Sequence, residues 1–193
     1  MNYLAHALLS PEDPNILMGN LWGDILKPKD YPLLSPGVHE GILRHRRIDF
    51  FTDHHAGVDE IKKMIRPFQG KYTPVVSDVL MDYMLSKYWK TFHPNSLENF
   101  CEKKYKLVSK HLKLIPDRLH PRINRMVGHR WLESCKDETR LKQTFLMLSQ
   151  RASFENKISD ALVPYQLFSK DMDKFFLSFF EELKSYINLQ NVR

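Results

Sequence analysis

The chain has only two cysteines, Cys101 and Cys135, and neither sits in a CxxC pair. This excludes a disulfide framework and fits a reducing cytoplasm, where the protein is expected to reside. No apolar run reaches the roughly 18 residues that a membrane span needs, so no membrane partner is expected. Residues 1–10 carry no basic leader and no cleavage-site pattern, so no secretory signal is expected either. No segment alternates at period two for long enough to form a strand. "KYTPVV" (71–76) is rich in β-branched residues, but Pro74 interrupts it. Glycine is scarce, with seven in 193 residues, and no repeat, low-complexity tract or linker divides the chain.

What is present reads as helix almost throughout. Hydrophobic residues make up 42% and charged residues 27%, a globular balance, and the length can enclose a sizeable core in one domain over 1–193. Asp13-Pro14, Ser35-Pro36 and Thr73-Pro74 each combine a capping residue with proline at the first helical position. They open helices expected to reach about Leu26, through the stretch that ends at His55, and to about Phe92. Asn95 followed by Glu98 resembles a capping box for a fourth helix. Further helical patterns cover 121–134, 137–150, 154–163 and 170–188. The last carries Phe175, Phe176, Phe179 and Phe180, which read as core or a dimer face. The expected fold class is all-α, a single-domain bundle of seven to nine helices.

The net charge of +6 is unevenly spread. Residues 102–130 hold nine Lys or Arg against Glu102 and Asp117, a local +7 that leaves the remainder at −1. Lys103, Lys106, Lys110 and Lys113 follow a helical stripe. Such a segment is either a solvated face or a surface for an anionic partner.

"GILRHRRIDFFTDHH" (41–55) raises the sharpest question. His45, Asp49 and Asp53 fall at i, i+4 and i+8 on one helical face, flanked by Gly41, Ile42, Thr52 and Ala56. Arg44, Arg47 and His54 are expected on the outward edge. Asp78 and Asp82 form an i, i+4 pair among Val75, Val76, Val79, Leu80 and Met81. Asn20 and Asp24 form another beside Gly19 and Gly23, and His6 sits in apolar "NYLAHALL". Any single acid could be a cap or an ion-pair partner, as Arg46 with Asp49 at i, i+3. Several acids on apolar helices call for a common explanation, because buried carboxylates need partners. Convergence would form a His/carboxylate cage suited to Mn²⁺, Mg²⁺ or Fe²⁺. Such an ion lowers the pKa of bound water and polarises a phosphoryl oxygen. Arg46 could hold a phosphate oxygen.

"MNYLAH", "GNLWGD" (19–24), "GILRHRRIDFFTD" (41–53) and "SDVLMDYML" (77–85) resemble, in order and spacing, the acyl carrier protein phosphodiesterase family. Arg66, Phe68 and "SQRASFE" (149–155) continue the likeness more diffusely. The resemblance implies an HD-domain-like fold and a divalent cation, commonly Mn²⁺. It also implies removal of 4′-phosphopantetheine from holo acyl carrier protein, a step in fatty acid metabolism. It implies His6, Asp24, His45, Asp49 and Asp78 as metal-ligand or catalytic candidates, with Asp53 and Asp82 behind them. Arg46, Lys106 and Lys110 are the expected substrate contacts. Tyr83 stands where the family usually has histidine. Acyl carrier proteins are acidic, so the +7 segment and the Arg44/Arg47 edge could steer one in, and nucleic acid is not the expected partner. Two other readings keep part of the pattern: an HD-type phosphohydrolase for a nucleotide or other small phosphodiester, and a non-catalytic binding module. Loss of Lys106, Lys110 and Lys113 would separate the first, and metal content the second.

Overall fold

The computed structural model describes residues 3–189; Met1 and Asn2, which open the "MNYLAH" motif, lie outside them. All regular structure among the described residues is helical: ten α-helices joined by short 3₁₀ turns. No described helix is long and apolar enough to cross a membrane. The chain forms two compact units, each assembled from separated stretches.

Tyr3–Asp49 and Trp89–Glu133 make one unit. It holds α1 (Tyr3–Leu8), α2 (Pro14–Trp22), all but the last turn of α3 (Pro36–Asp53), α6 (Trp89–Phe92), α7 (Leu97–Lys110) and α8 (His120–Gly128). Asp13 caps α2 by accepting from the amides of Asn15 at 2.7 Å and Ile16 at 3.3 Å, with Pro14 at the first position. Ser35 Oγ accepts from Val38 N at 3.3 Å ahead of Pro36. Leu4, Leu17, Leu21, Trp22, Val38, Ile42 and Ile48 are buried, which ties the apolar stripes of α1, α2 and α3 into one core.

The other unit gathers Phe50–Tyr88 and the chain from Ser134 onward. It contains α4 (Ala56–Gln69), α5 (Thr73–Lys87), α9 (Glu138–Arg151) and α10 (Leu162–Leu189). Val58, Ile61 and Ile65 of α4 are fully buried, as are Phe176, Phe179, Phe180 and Leu183 of α10. Three of the four clustered phenylalanines are therefore core; Phe175 is half-buried.

Several boundaries differ from expectation. α2 ends at Trp22, four residues early: the amides of Ile25 and Leu26 both fold back on Trp22 O at 3.0 Å in a tight turn, and the chain is extended by Lys27, ahead of Pro28. α5 stops at Lys87, and Tyr88 closes it with its amide on Met84 O at 2.9 Å. Ser96, not Asn95, caps α7 through Asn99 N at 3.2 Å, while Asn95 O accepts from Trp89 Nε1 at 2.8 Å. α8 ends at Gly128, and Arg130 follows at φ 52°, its side chain fixed on Glu133 at 2.7 Å and Glu102 at 3.1 Å. Residues 154–157 are not helical: the Asn156 side chain bonds Ser149 O, Phe154 O and Ile158 N and so competes with helical pairing. α4 and α1 were not delimited from the sequence, and α10 begins at Leu162 rather than 170, with a non-helical Phe168 inside it.

Candidate metal centre

α2 and α3 meet at two glycines. A Cβ on Gly41 would lie 2.3 Å from Ile16 O and 2.7 Å from Gly19 Cα, and one on Gly19 only 2.1 Å from Val38 O. Backbone therefore touches backbone, which only glycine permits. One turn further on, Gly23 faces the His45 ring, and a Cβ there would come within 2.6 Å of it. This close crossing brings Asn20 and His45 together, and α1 lays His6 against them.

The imidazoles of His6 and His45 stack with centroids 4.2 Å apart. His45 Nδ1 donates to the Asn20 carbonyl at 2.8 Å, which leaves Nε2 pointing outward. Nε2 lies 3.0 Å from Asp24 Oδ1 and 3.1 Å from Asp49 Oδ2. Asn20 also governs His6. Its amide nitrogen donates to His6 O at 2.9 Å and Ser10 Oγ at 2.8 Å, so its Oδ1 is the acceptor for His6 Nδ1 at 2.8 Å. His6 Nε2 therefore carries a lone pair, is fully buried, and makes no hydrogen bond. It faces Asp49 Oδ1 at 3.3 Å. Two acceptors turned toward each other call for a cation between them.

The electrostatics agree. Burial holds His6 below its ordinary pKa, against the pull of Asp49, so its ring is neutral. Burial also lowers His45, but hydrogen bonds to Asp24 and Asp49 outweigh it and raise this imidazole to about 9. Burial raises the Asp49 carboxyl, yet His45 and His6 hold it far below the usual carboxylate range. The hydrogen bond from His45 lowers Asp24. His6, His45 and Asp49 each offer a ligand atom, all within 4.8 Å of one another, and form a possible metal-binding triad. Two oriented imidazole nitrogens and one carboxylate oxygen are a coherent donor set for a divalent ion. The Asp24 side chain, 82% exposed, marks the open side of the cluster.

Asp24 lies in the turn after α2 rather than on a helix, and reaches the cluster through His45. Asp53 is exposed and pairs with Lys62 at 3.4 Å. Asp78, half-buried, and Asp82, buried, sit on α5 in the other unit. Tyr83 is buried there, edge-on to Tyr165 at 5.2 Å. Arg46 is exposed and donates to Tyr31 OH at 2.7 Å. Arg44 does not point outward: it is buried and donates to Leu9 O at 2.6 Å, because an arginine on this face can satisfy a loop carbonyl that no helix bond reaches. Lys106 and Lys110 are exposed on α7, Lys113 falls beyond that helix, and Lys104 is buried. Sequence reasoning noticed Asn20 only as half of an i, i+4 pair. Its signal was the adjacent Gly19, which permits the close crossing.

The model of the acyl carrier protein phosphodiesterase family matches residues 1–183. The chain belongs to that family. This places it among the phosphoric diester hydrolases. It is 31% identical over 134 residues to an acyl carrier protein phosphodiesterase of Serratia proteamaculans (strain 568), covering 69% of each chain. It is 34% identical to that of Yersinia enterocolitica over 134 residues, again 69% of each. The counterpart in Enterobacter sp. (strain 638) is 32% identical over 138 residues, 71% of this chain and 72% of the relative. No solved structure matches the chain.

Proposed function

We propose that the protein is a metal-dependent phosphodiesterase that releases 4′-phosphopantetheine from holo acyl carrier protein and leaves the apo carrier. The observation that carries this reading is the buried His6 Nε2, without a hydrogen bond and 3.3 Å from Asp49 Oδ1, within a triad whose imidazoles are held by the side chain and the backbone carbonyl of Asn20. Family membership supplies the substrate class. His6, His45 and Asp49 would hold the ion, with Asp24 a fourth ligand or the group that accepts a proton from water at the open side. Mn²⁺ is the proposed ion, with Mg²⁺ or Fe²⁺ as substitutes. Such an ion, when bound, polarises a phosphoryl oxygen and acidifies water.

The chain's own groups do the rest. Asn20 fixes both imidazole tautomers. Asp49 bridges the two histidines, and its depressed pKa keeps it an anion at working pH. Arg46 would neutralise phosphate oxygens, and exposed Lys106 and Lys110 would receive the acidic carrier. Asp78 and Asp82 stay proposed members of the catalytic set, and the whole chain is taken as one cytoplasmic hydrolase domain. A likeness to HD-domain phosphohydrolases is part of the same proposal.

The test is incubation with holo acyl carrier protein and Mn²⁺, followed by intact mass of the carrier. Loss of the phosphopantetheine mass, abolished by EDTA, is the expected result. An unchanged carrier beside folded, metal-loaded protein would refute the proposal.

A further inference from the structure

α7 carries Lys103, Lys106 and Lys110 as exposed side chains, and one further lysine of the same segment turned inward. Lys104 is only 2% exposed. Among the described residues its ammonium makes no hydrogen bond and no ion pair. It lies over the Phe100 ring, 5.3 Å from the centroid. A cation–π contact offsets part of the cost of burying an ammonium, but it leaves the charge unneutralised. A buried lysine with a purely architectural role would reach a carbonyl or an acid. This one is a cation without an anion.

Its surroundings are firm and also cationic. His93 Nδ1 accepts from Asn95 N at 3.2 Å, so Nε2 carries the ring proton. The His93 ring lies 5.2 Å from Trp89 and 5.0 Å, edge-on, from the Phe100 ring that underlies Lys104. Trp89 and Phe100 are buried, with centroids 4.8 Å apart. Lys103, the adjoining residue, meets the Glu12 carboxylate at 2.8 Å. The Lys103 bond, aided by Lys104 and His93, holds the Glu12 carboxyl below its ordinary pKa.

Glu12 can leave without disturbing its loop. Leu9 O accepts from Arg44 at 2.6 Å, Ser10 Oγ donates to His6 O at 2.8 Å, and Asp13 caps α2, so the residues around Glu12 are fixed independently. The Lys103 and Glu12 side chains are 63% and 71% exposed. An ion pair that open is weak, and a competing carboxylate can displace it.

We infer that Lys103, Lys104 and His93 receive a carboxylate of the acidic carrier, and that Glu12 stands in for it in the free protein. This rests on the carrier being the substrate, as proposed above. It extends the exposed Lys106 and Lys110 to a desolvated cation. Exposed charges chiefly speed encounter, whereas a buried charge that gains its counter-ion only in the complex adds to affinity.

The test is calorimetric titration, at low salt and with Mn²⁺ present, of apo acyl carrier protein, which has no arm to cleave. Lys104→Met should weaken binding by about ten-fold or more. Its thermal midpoint should hold or rise, because a buried unneutralised charge is removed; an architectural lysine would give a fall. Glu12→Gln should tighten binding several-fold, and that gain should shrink in the double variant with Lys104→Met. Lys90→Gln, which removes an exposed charge on α6, should match the unaltered protein. Undiminished binding by Lys104→Met, no tightening by Glu12→Gln, or a carrier that does not bind at all would each overturn the inference. If Lys104→Met fails to fold, Glu12→Gln decides alone. The site and the activity fail separately. Lys104-dependent binding by a protein that leaves holo carrier intact keeps the docking site and removes the activity. Carrier cleavage beside binding that ignores Lys104 removes the site and keeps the activity.

Discussion

Asn20 and His6 are bonded head to tail: the asparagine amide donates to the histidine's carbonyl at 2.9 Å, and its oxygen accepts from the ring at 2.8 Å. The backbone carbonyl of the same residue holds His45 at 2.8 Å, so the side chain of Asn20 directs the His6 lone pair and its main chain that of His45. Asn20→Ala removes only the side chain, so it should release the His6 ring while His45 stays on the backbone carbonyl, and it should lower metal affinity by about 10-fold, the usual effect of losing one orienting partner. It should also destabilise the fold by about 1–3 kcal/mol through unmet buried polar groups. Metal titration and thermal melts read the two effects apart. Unchanged metal affinity in a folded variant would remove the orienting role.

Asp49 and Asp24 should not be equivalent. Asp49 touches both histidines and is 30% exposed, whereas Asp24 touches only His45 and is 82% exposed. Asp49→Ala should abolish both metal retention and carrier cleavage. Asp24→Ala should keep measurable metal and lose turnover by a larger factor than affinity. Metal analysis after dialysis, with kcat and KM on the carrier, checks this.

The pH dependence of the metal-free protein follows from two opposite shifts. His45 is raised from about 6.5 to about 9, so its contribution is complete below the ordinary value and disappears as pH rises through about 9. Asp49 is depressed, so its contribution is present above the ordinary carboxylate pKa of about 3.9 and fades as pH falls toward its lowered value. In EDTA, thermal stability should decline between about pH 6.5 and 9. Binding of Mn²⁺ near neutral pH should expel about one proton, that of His45, visible as a buffer-dependent heat. Absence of proton release would mean that His45 is not a ligand.

Gly41→Ala places a Cβ 2.3 Å from Ile16 O, a backbone atom that cannot rotate away. The cost should be at least about 1–3 kcal/mol, and the displaced α2–α3 crossing should weaken metal binding as well. Gly128→Ala is the control: nothing lies within 4 Å of the added carbon, so stability should hold or rise slightly. Chemical denaturation of both variants gives the comparison.

Lys106 and Lys110 are exposed near the last turns of α7, and Lys106 pairs only loosely with Glu102 at 3.6 Å. Replacing both by Gln should slow carrier association several-fold and flatten its salt dependence, while hydrolysis of a small free diester stays unchanged. Equal losses on both substrates would move these lysines out of carrier docking.

The primary structure by itself determined a good deal. Proline-and-cap signals at Asp13 and Ser35 marked two helix starts, since both devices act within one turn of chain; at the third, Pro74 marked the start but Thr73 is not its cap, because it lies in the first turn and its hydroxyl donates to Gly70 O at 2.7 Å. The helix from Pro36 was legible from the Ser35 cap and the i, i+4 pattern of His45 and Asp49, but it ends at Asp53 rather than His55, because the His55 side chain accepts from Gly57 N at 3.0 Å and caps the next helix. His6, Asp24, His45 and Asp49 were all named as candidates because acids and histidines among apolar residues are conspicuous. Tertiary structure alone decided the rest. Only the Gly19–Gly41 crossing tells that Asn20 faces two histidines, a relation across 14 and 25 positions that no local pattern encodes. Arg44 turned inward because a carbonyl of the Leu9 loop needed a donor, and a helical wheel cannot show loops.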